Sequence, residues 1–260
     1  MNFKRPVLWS VILLLLAFSP AYSGIDQFFD SSGKMLRGGT AMPVAHGAAK
    51  PSGYALPEGI ELVQGAGYEF YPVAGRTFAE IVKATNDNGP FTKDRSGRRP
   101  YNNEWQLGLS YQFRLTTAVD EERSKIHAAL EIYDIAFTDN IRITLPALID
   151  DTSLTPVEKD LWGQYLSRLV AQTRDLVSII RDQERREKVS GSIREITYLI
   201  FDYQEGMDIE RTVESYLRQE TEKLGEEWAG EISRRTADYE KVTAFGLKHE
   251  MRRSFFRKGR

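Results

Sequence analysis

The chain contains no cysteine and only three histidines among 260 residues. The absence of cysteine excludes disulfide bonds, thiol nucleophiles and thiolate metal ligands, so stability has to come from a packed core. The three histidines lie far apart in the sequence. We expect His46 in a solvated loop, His127 exposed or partly packed on a strand, and His249 in the C-terminal tail. The chain also lacks a G-x-S-x-G elbow, a P-loop and a dinucleotide-binding fingerprint.

An excess of charge of either sign is also missing, since the formal net charge is −2. A nearly neutral chain gives no global reason to expect nucleic acid as a partner. With 41% hydrophobic and 28% charged residues, the composition is that of an ordinary globular protein, and the length allows one or two domains.

The N-terminus has the pattern of a secretory signal peptide. Lys4 and Arg5 precede an apolar run from Val7 to Phe18, and Ala21-Tyr22-Ser23 offers a cleavage site of small residues. We therefore expect a signal peptide over residues 1–23, cleavage after Ser23, and export to the periplasm or beyond. The apolar run is shorter than the roughly 20 residues of a typical membrane span. An uncleaved membrane anchor is the alternative.

The next segment, residues 24–66, is rich in Gly, Ala, Pro and Ser and shows no sustained periodicity. This composition predicts an N-terminal arm or linker. A strand from Tyr68 to Val73 then opens a domain that we place at residues 67–246, with a basic tail at 247–260. Pro72 confines that strand to an edge or an end of a sheet. Thr77 caps a short helix that ends near Asn88.

Alternating apolar residues predict three further strands. The clearest runs from Trp105 to Leu115, and two more run from Ile126 to Ile132 and from Ile141 to Leu145. Short connections between them favour a small antiparallel sheet in meander order with one face buried.

After Pro146 the period becomes helical. Thr155, Pro156 and Glu158 form a capping box for a long helix that reaches about Lys188, where Ser190-Gly191 ends it. Ser192 and Glu195 predict a cap for a shorter helix through Tyr203, and a last long helix begins near Asp208. Strands followed by long packed helices indicate an α+β fold.

The first long helix has an apolar inner stripe, interrupted by Gln172 and Thr173. Several short sequence motifs occur in a characteristic order and spacing, before and within this helix. They are Tyr71-Pro72-Val73-Ala74-Gly75-Arg76-Thr77, Asn88-Gly89-Pro90, Gly97-Arg98-Arg99, Asn103-Glu104-Trp105, and Leu145-Pro146 followed by Trp162, Tyr165 and Leu169. With these segments the chain resembles the domain-of-unknown-function family numbered 922, a bacterial secreted family described as predicted zinc-dependent proteases. The resemblance covers about Tyr68 to Gly246 and implies a zincin-like arrangement.

In that family the helix carries a His-Glu-x-x-His motif three residues after the leucine that matches Leu169. Histidines at i and i+4 can bind one zinc, while the glutamate acts as general base on a zinc-bound water. The resemblance places Gln172 and Leu176 at the two histidine positions and Thr173 at the glutamate. Phe245, within Thr243-Ala244-Phe245-Gly246, stands where a third histidine ligand is expected.

These replacements remove the chemistry that the motif supplies. Leu176 has no donor atom, Gln172 offers a neutral amide, and Thr173 is no base at neutral pH. The resemblance therefore implies a degenerate metal site without catalytic residues, metal or cofactor, in which Leu176 and Phe245 converge in a filled core. Four carboxylates could instead bind a cation, although surface and helix-terminus roles are favoured for them: Asp150, Asp151, Asp175 and Asp182.

The tail combines basic residues with two aromatic residues: Lys248, Arg252, Arg253, Phe255, Phe256, Arg257 and Lys258. It predicts either a contact with an anionic membrane surface, nucleic acid or an acidic partner, or a disordered, solvated end; the overall charge makes nucleic acid the least favoured of these partners.

The sequence as a whole favours an exported, non-catalytic zincin-like protein, a pseudoprotease with a binding or structural role in the cell envelope. Its partner would be an envelope protein or peptide. One alternative is an active envelope hydrolase with a divergent site that uses Gln172, Thr173 and nearby carboxylates. The other is an adaptor that contacts a membrane or partner through the basic tail.

Overall fold

A computed structural model describes residues 23–36, 56–92, 97–245 and 248–258, which form five strands and five helices. In chain order these are β1 (Ser23–Asp30), β2 (Gly67–Val73), α1 (Phe78–Asn88), β3 (Asn102–Asp120), β4 (Lys125–Leu148), α2 (Pro156–Ile180), α3 (Gln183–Arg194), β5 (Tyr198–Asp202), α4 (Ile209–Val242) and α5 (Met251–Lys258). The α+β class is confirmed. The predicted signal peptide lies at residues 1–23, of which 1–22 are outside the described residues, as is His46.

The sheet is curled and mixed rather than purely antiparallel. Its strand order is β1-β3-β4-β2, and β5 pairs with residues 125–129 of β4, far along that strand from β2. β2 runs parallel to β4, with Tyr68 opposite Ile143, which corrects the expectation of an antiparallel sheet. β2 is the edge strand that Pro72 predicts.

Two of the three predicted meander strands are one strand. The runs from Ile126 to Ile132 and from Ile141 to Leu145 both belong to β4, which pairs with β3 over nearly its whole length. The register shifts between Ser110 and Gln112, opposite Asp134, whose φ of 49° lies in the left-handed region. A bulge of this kind bends a strand without ending it. The periodicity therefore breaks at Asp134 although the strand continues.

The predicted arm begins instead with a strand of the sheet. β1 pairs antiparallel with β3, and the side chains of Ile25 and Phe29 are fully buried. Residues 56–66 have no regular structure, but Arg181 holds them by donating to the carbonyl oxygens of Gln64 and Gly65, both at 2.9 Å. Ser23–Asp30 therefore belongs to the sheet and not to an arm or linker, while residues 56–66 have the irregular backbone expected of that segment.

The helices differ from the prediction after Ile180. Asp182 caps a new helix by accepting a hydrogen bond from the Arg185 backbone, so α2 ends earlier and α3 continues through Ser190-Gly191. The helix predicted through Tyr203 is wrong, because Tyr198–Asp202 forms β5 against β4. The expected start of α4 at Asp208 is confirmed.

The core lies between the sheet and helices α2 and α4. Gly225 on α4 packs directly against the ring of Phe29, and a Cβ there would lie 2.0 Å from the ring. Trp228 makes an edge contact with Phe137 of β4, at 5.1 Å between ring centroids. Among the residues that the structure describes, no helix combines the length and apolar character that a membrane span needs.

Candidate functional site

The inner face of α2 places the three motif-equivalent residues in the protein interior. The capping box is present, since Thr155 accepts from the Glu158 backbone and Glu158 accepts from the Thr155 backbone. Helical spacing then puts Gln172, Thr173 and Leu176 on one buried face, with exposed fractions of 0%, 0% and 1%. A catalytic zinc site keeps an open position for water or substrate. This face of α2 is closed.

Both the nitrogen and the oxygen of the Gln172 side-chain amide form hydrogen bonds inside the protein. Its Nε2 donates to Oγ1 of Thr243 at 2.7 Å, and its Oε1 accepts from the hydroxyl of Tyr239 at 3.1 Å. Thr243 in turn donates to the backbone oxygen of Tyr239 at 2.7 Å. A neutral amide with donor and acceptor both paired can be buried at low cost. Gln172 therefore joins α2 to the end of α4.

Thr173 and Leu176 have structural contacts only. The Thr173 hydroxyl donates to the backbone oxygen of Val170 at 2.9 Å, which is an internal bond of the helix. Leu176 belongs to the apolar core.

Phe245 does not join them, which corrects the expected convergence with Leu176. It lies just after α4 with φ of 55°, and its side chain is 38% exposed. The guanidinium of Arg99 sits 5.4 Å from its ring centroid and forms an ion pair with Glu240 at 3.3 Å. The hydroxyl of Tyr101 donates to the same carboxylate, and burial, followed by the Glu240 charge, raises the pKa of Tyr101.

The strongest polar contact near Gln172 is an ion pair that the sequence does not reveal. Arg252 of α5 binds Asp175 of α2 with two bonds, Nε to Oδ2 at 2.6 Å and Nη2 to Oδ1 at 2.8 Å. Nη2 also donates to the backbone oxygen of Ala171 at 2.9 Å. The single proton of the Tyr239 hydroxyl is shared between the Asp175 carboxylate and Oε1 of Gln172. We call Gln172, Asp175, Tyr239, Thr243 and Arg252 the closed cluster.

The electrostatics of the closed cluster favour neutral tyrosine and charged arginine. Burial raises the pKa of Tyr239, and the neighbouring Asp175 carboxylate raises it further. Hydrogen bonding to Asp175 raises the pKa of Arg252. Tyr239 is therefore a hydrogen-bond donor at neutral pH, not a base, and the cluster holds no unpaired nucleophile.

The basic tail is ordered where the structure describes it. Residues 251–258 form α5, and the rings of Phe255 and Phe256 pack on Tyr239 with centroid distances of 5.2 and 5.8 Å. Together with Arg252 they attach α5 to α2 and α4. The prediction of a disordered end is therefore wrong for residues 251–258. Exposed basic residues remain at Lys248, Arg253 and Arg257, while the side chain of Lys258 lies outside the described residues.

The other candidate cation ligands are separately engaged. Asp182 pairs with Arg235 at 2.7 Å and caps α3. Asp150 accepts from Thr152, and Asp151 pairs with Lys159 at 3.2 Å. Within the described parts of the chain, no group of three or more His, Asp or Glu side chains is placed to hold a metal ion.

The two described histidines lie apart from the closed cluster or at its rim. His127 on β4 is half-buried and bonds the Tyr198 hydroxyl through Nδ1 at 2.5 Å, as its partly packed position predicts. His249 is mostly exposed, and its partial desolvation, followed by the charges of Arg252 and Arg168, lowers its pKa.

A cleft of about 980 Å³ opens between the end of α2, the start of α3, and helices α4 and α5. Its walls are mostly charged and include Asp182, Arg185 and Arg235. Gln172, Thr173 and Leu176 do not line it. This cleft is therefore separate from Gln172, Thr173 and Leu176.

The fold and the closed cluster together define an α+β protein with a curled mixed sheet, whose long helices are joined by buried polar contacts. No family profile matches the chain, and no curated protein or solved structure matches it either.

Proposed function

We propose that this chain is an exported, non-catalytic relative of the zinc-protease-like family that it resembles, with a binding or structural role in the cell envelope. The observation that carries the proposal is the pairing of Gln172. Both ends of its amide are bonded inside the fold, and the residue is 0% exposed. The position that would hold the first zinc ligand instead ties two helices together.

The neighbouring positions support the same proposal. Leu176, at the second ligand position, packs in the core, and Thr173 donates its hydroxyl to its own helix. The nearest carboxylate, Asp175, already binds Arg252 through both oxygens. Gln172 is fully buried and bonded to Tyr239 and Thr243, so a substrate could reach it only after these contacts were broken. This arrangement counts against the divergent hydrolase.

A peptidase assay tests the proposal on the intact protein. We expect no cleavage of a fluorogenic casein or of a mixed peptide library above the background of a purification blank. Activity that disappears in Gln172→Ala or Thr173→Val, while circular dichroism shows an unchanged fold, would overturn the proposal in favour of the divergent hydrolase. Arg253→Ala serves as the matched control, because Arg253 is exposed and makes no contact with the closed cluster.

A second candidate function, the adaptor, is favoured by one feature of α5. Arg253 and Arg257 are exposed and four residues apart, so they lie on the same helical face. They could contact anionic lipid while Arg252 and the two phenylalanines hold the helix in place. We expect Arg253→Glu with Arg257→Glu to abolish flotation with phosphatidylglycerol vesicles if α5 is a membrane contact. Equal flotation of the wild type and the double variant would remove this candidate.

A further inference from the structure

The short strand β5 has one edge that is bonded and one that is free. The backbone oxygen of Thr197 accepts from Leu130, and the backbone N–H of Tyr203 donates to Ser124, both at 2.8 Å. Because N–H and C=O groups alternate sides along a strand, Leu199 and Phe201 also direct theirs towards β4. The N–H and C=O groups of Tyr198, Ile200 and Asp202 consequently point away from the sheet.

Nothing in the described part of the chain bonds to those outward groups. We call the outward backbone groups of Tyr198, Ile200 and Asp202 the β5 edge. Open edges are templates for a further strand, and proteins usually protect them with proline, lysine or a bulge. The outer strand β2 follows this rule, since it contains Pro72.

The β5 edge has little such protection. The strand reads Tyr-Leu-Ile-Phe-Asp, without proline or lysine. The side chains of Tyr198 and Ile200 are apolar and exposed to solvent, at 52% and 56%. Asp202 supplies the only charge of the strand, and Lys125 already pairs with it at 2.5 Å. An added strand would bury apolar side chains as well as pair backbone groups.

The surroundings of the β5 edge are acidic. Between Arg194 and Arg211 the chain has five acidic residues and two arginines. The β3–β4 turn, bonded to β5 through Ser124 and Tyr203, contributes three more acidic residues and two basic ones, over 120–125. Complementary charge speeds encounter and selects the correct partner. A basic segment fits this edge better than an acidic one.

A second copy of the chain fits less well. Two β5 edges paired with each other would bring these acidic surroundings together, and like charges across an interface disfavour association. Five-residue strands also offer less buried area than the roughly 1,200 Å² of a stable interface.

We propose that the β5 edge binds an extended, basic peptide segment of a partner protein by adding it as a strand. The segment would alternate lysine or arginine with apolar residues, so that apolar side chains meet Tyr198 and Ile200. This inference goes beyond the proposed function, since it uses no residue of the closed cluster and would stand even if peptidase activity or a bound metal were found.

The test uses the whole chain and a fluorescein-labelled peptide of seven residues that alternates lysine and valine. We expect saturable binding by fluorescence anisotropy that weakens as salt is raised. The same peptide with glutamate in place of lysine should bind at least about tenfold more weakly. In amide hydrogen exchange, the peptide should slow exchange at Tyr198, Ile200 and Asp202.

Ile200→Pro is the decisive variant. The Ile200 N–H points away from β4, so proline leaves the β4 pairing intact while its ring blocks the added strand. We expect affinity to fall by at least about tenfold, the effect of losing one backbone hydrogen bond together with the steric block. Ile200→Val, which retains the N–H and the branched side chain, should bind within about twofold of the wild type. If the proline variant does not fold, Ile200→Lys places a repelling charge on the same exposed face.

Three results would overturn the proposal. The first is equal binding of the lysine and glutamate peptides. The second is unchanged affinity in folded Ile200→Pro, or in Ile200→Lys if the proline variant does not fold. The third is a concentration-dependent dimer, seen by sedimentation without peptide and lost in Ile200→Pro, which would make a second copy the occupant.

Discussion

Removing the guanidinium of Arg252 tests whether α5 is an integral part of the domain. Arg252→Met keeps most of the apolar stem but removes two bonds to Asp175 and one to the Ala171 carbonyl. It also leaves the Asp175 carboxylate partly buried with only the Tyr239 hydroxyl as a close polar partner.

The expected cost follows from the burial of the pair. Breaking a fully buried ion pair costs about 3–5 kcal/mol. The side chains of Arg252 and Asp175 are 19% and 17% exposed, so water compensates part of that loss. We therefore expect the free energy of unfolding to fall by about 2–4 kcal/mol. Arg257→Met on the same helix is the control, and its exposed side chain should change the value by less than about 0.5 kcal/mol.

Urea unfolding followed by tryptophan fluorescence and circular dichroism measures both variants. Asp175→Asn and the double variant complete a mutant cycle, in which we expect a coupling energy of at least about 1 kcal/mol between Arg252 and Asp175. A cost equal to that of the Arg257 control, or a coupling energy near zero, would refute the conclusion that the ion pair holds α5 on the domain.

Three further perturbations test other contacts. Gly225→Ala should destabilise the protein by about 1–3 kcal/mol, because a Cβ there collides with the ring of Phe29. Gly191→Ala in α3 has open space around the added methyl group and should stabilise the protein by about 0.5–1 kcal/mol. If urea unfolding showed Gly225→Ala to be the more stable variant, the packing of Gly225 against Phe29 would be contradicted. Thr155→Ala should cost about 1 kcal/mol through loss of the capping box, and an unchanged urea midpoint would contradict that role. Burial raises the pKa of six tyrosines, so they stay protonated in the folded chain while the unfolded chain loses those protons near pH 10. The free energy of unfolding should then fall above about pH 10, by roughly 1.4 kcal/mol per pH unit for each tyrosine that the folded state keeps protonated. The phenolate absorbance of these six tyrosines should appear only on unfolding. Titration of all twelve tyrosines of the folded chain near pH 10 would contradict the burial of this group: Tyr68, Tyr71, Tyr101, Tyr111, Tyr165 and Tyr239.

Short-range sequence patterns correctly predicted the helix starts and the strand whose formation depends on neighbouring residues. The caps at Thr77, Thr155 and Asp208 each accept a backbone hydrogen bond from three residues further on, so the starts of α1, α2 and α4 follow from sequence. The alternation from Trp105 to Leu115 identified β3 because the apolar side chains at every second position from Trp105 to Phe113 are buried.

The wrongly predicted elements are strands that form because they pair with another strand distant in sequence. β1 is eight residues within a segment rich in glycine and proline, and its pairing with β3 defines it rather than its composition. Ser192 and Glu195 fit a capping box, yet the chain there ends α3 and turns into β5, because β4 offers an unpaired edge to Tyr198–Asp202.

The closed cluster could be predicted only in part. Gln172 was conspicuous as a polar residue on an apolar stripe, which indicates a buried partner. Its partners Tyr239 and Thr243 lie 67 and 71 residues away, and no local spacing relates them to α2. The sequence signal for these partners was the four-residue spacing of Tyr239 and Thr243, which places them on one side of the end of α4. The Asp175–Arg252 pair spans 77 residues and had no such signal.

The central claim is that the α2 face at which the sequence predicts a degenerate zinc site holds a closed polar cluster in place of a metal. Metal analysis of the protein, purified without chelators and dialysed against zinc, tests it most directly. The account predicts zinc well below one equivalent per chain, with no change in Gln172→Ala. One tightly bound zinc per chain that is lost in Gln172→Ala would contradict it.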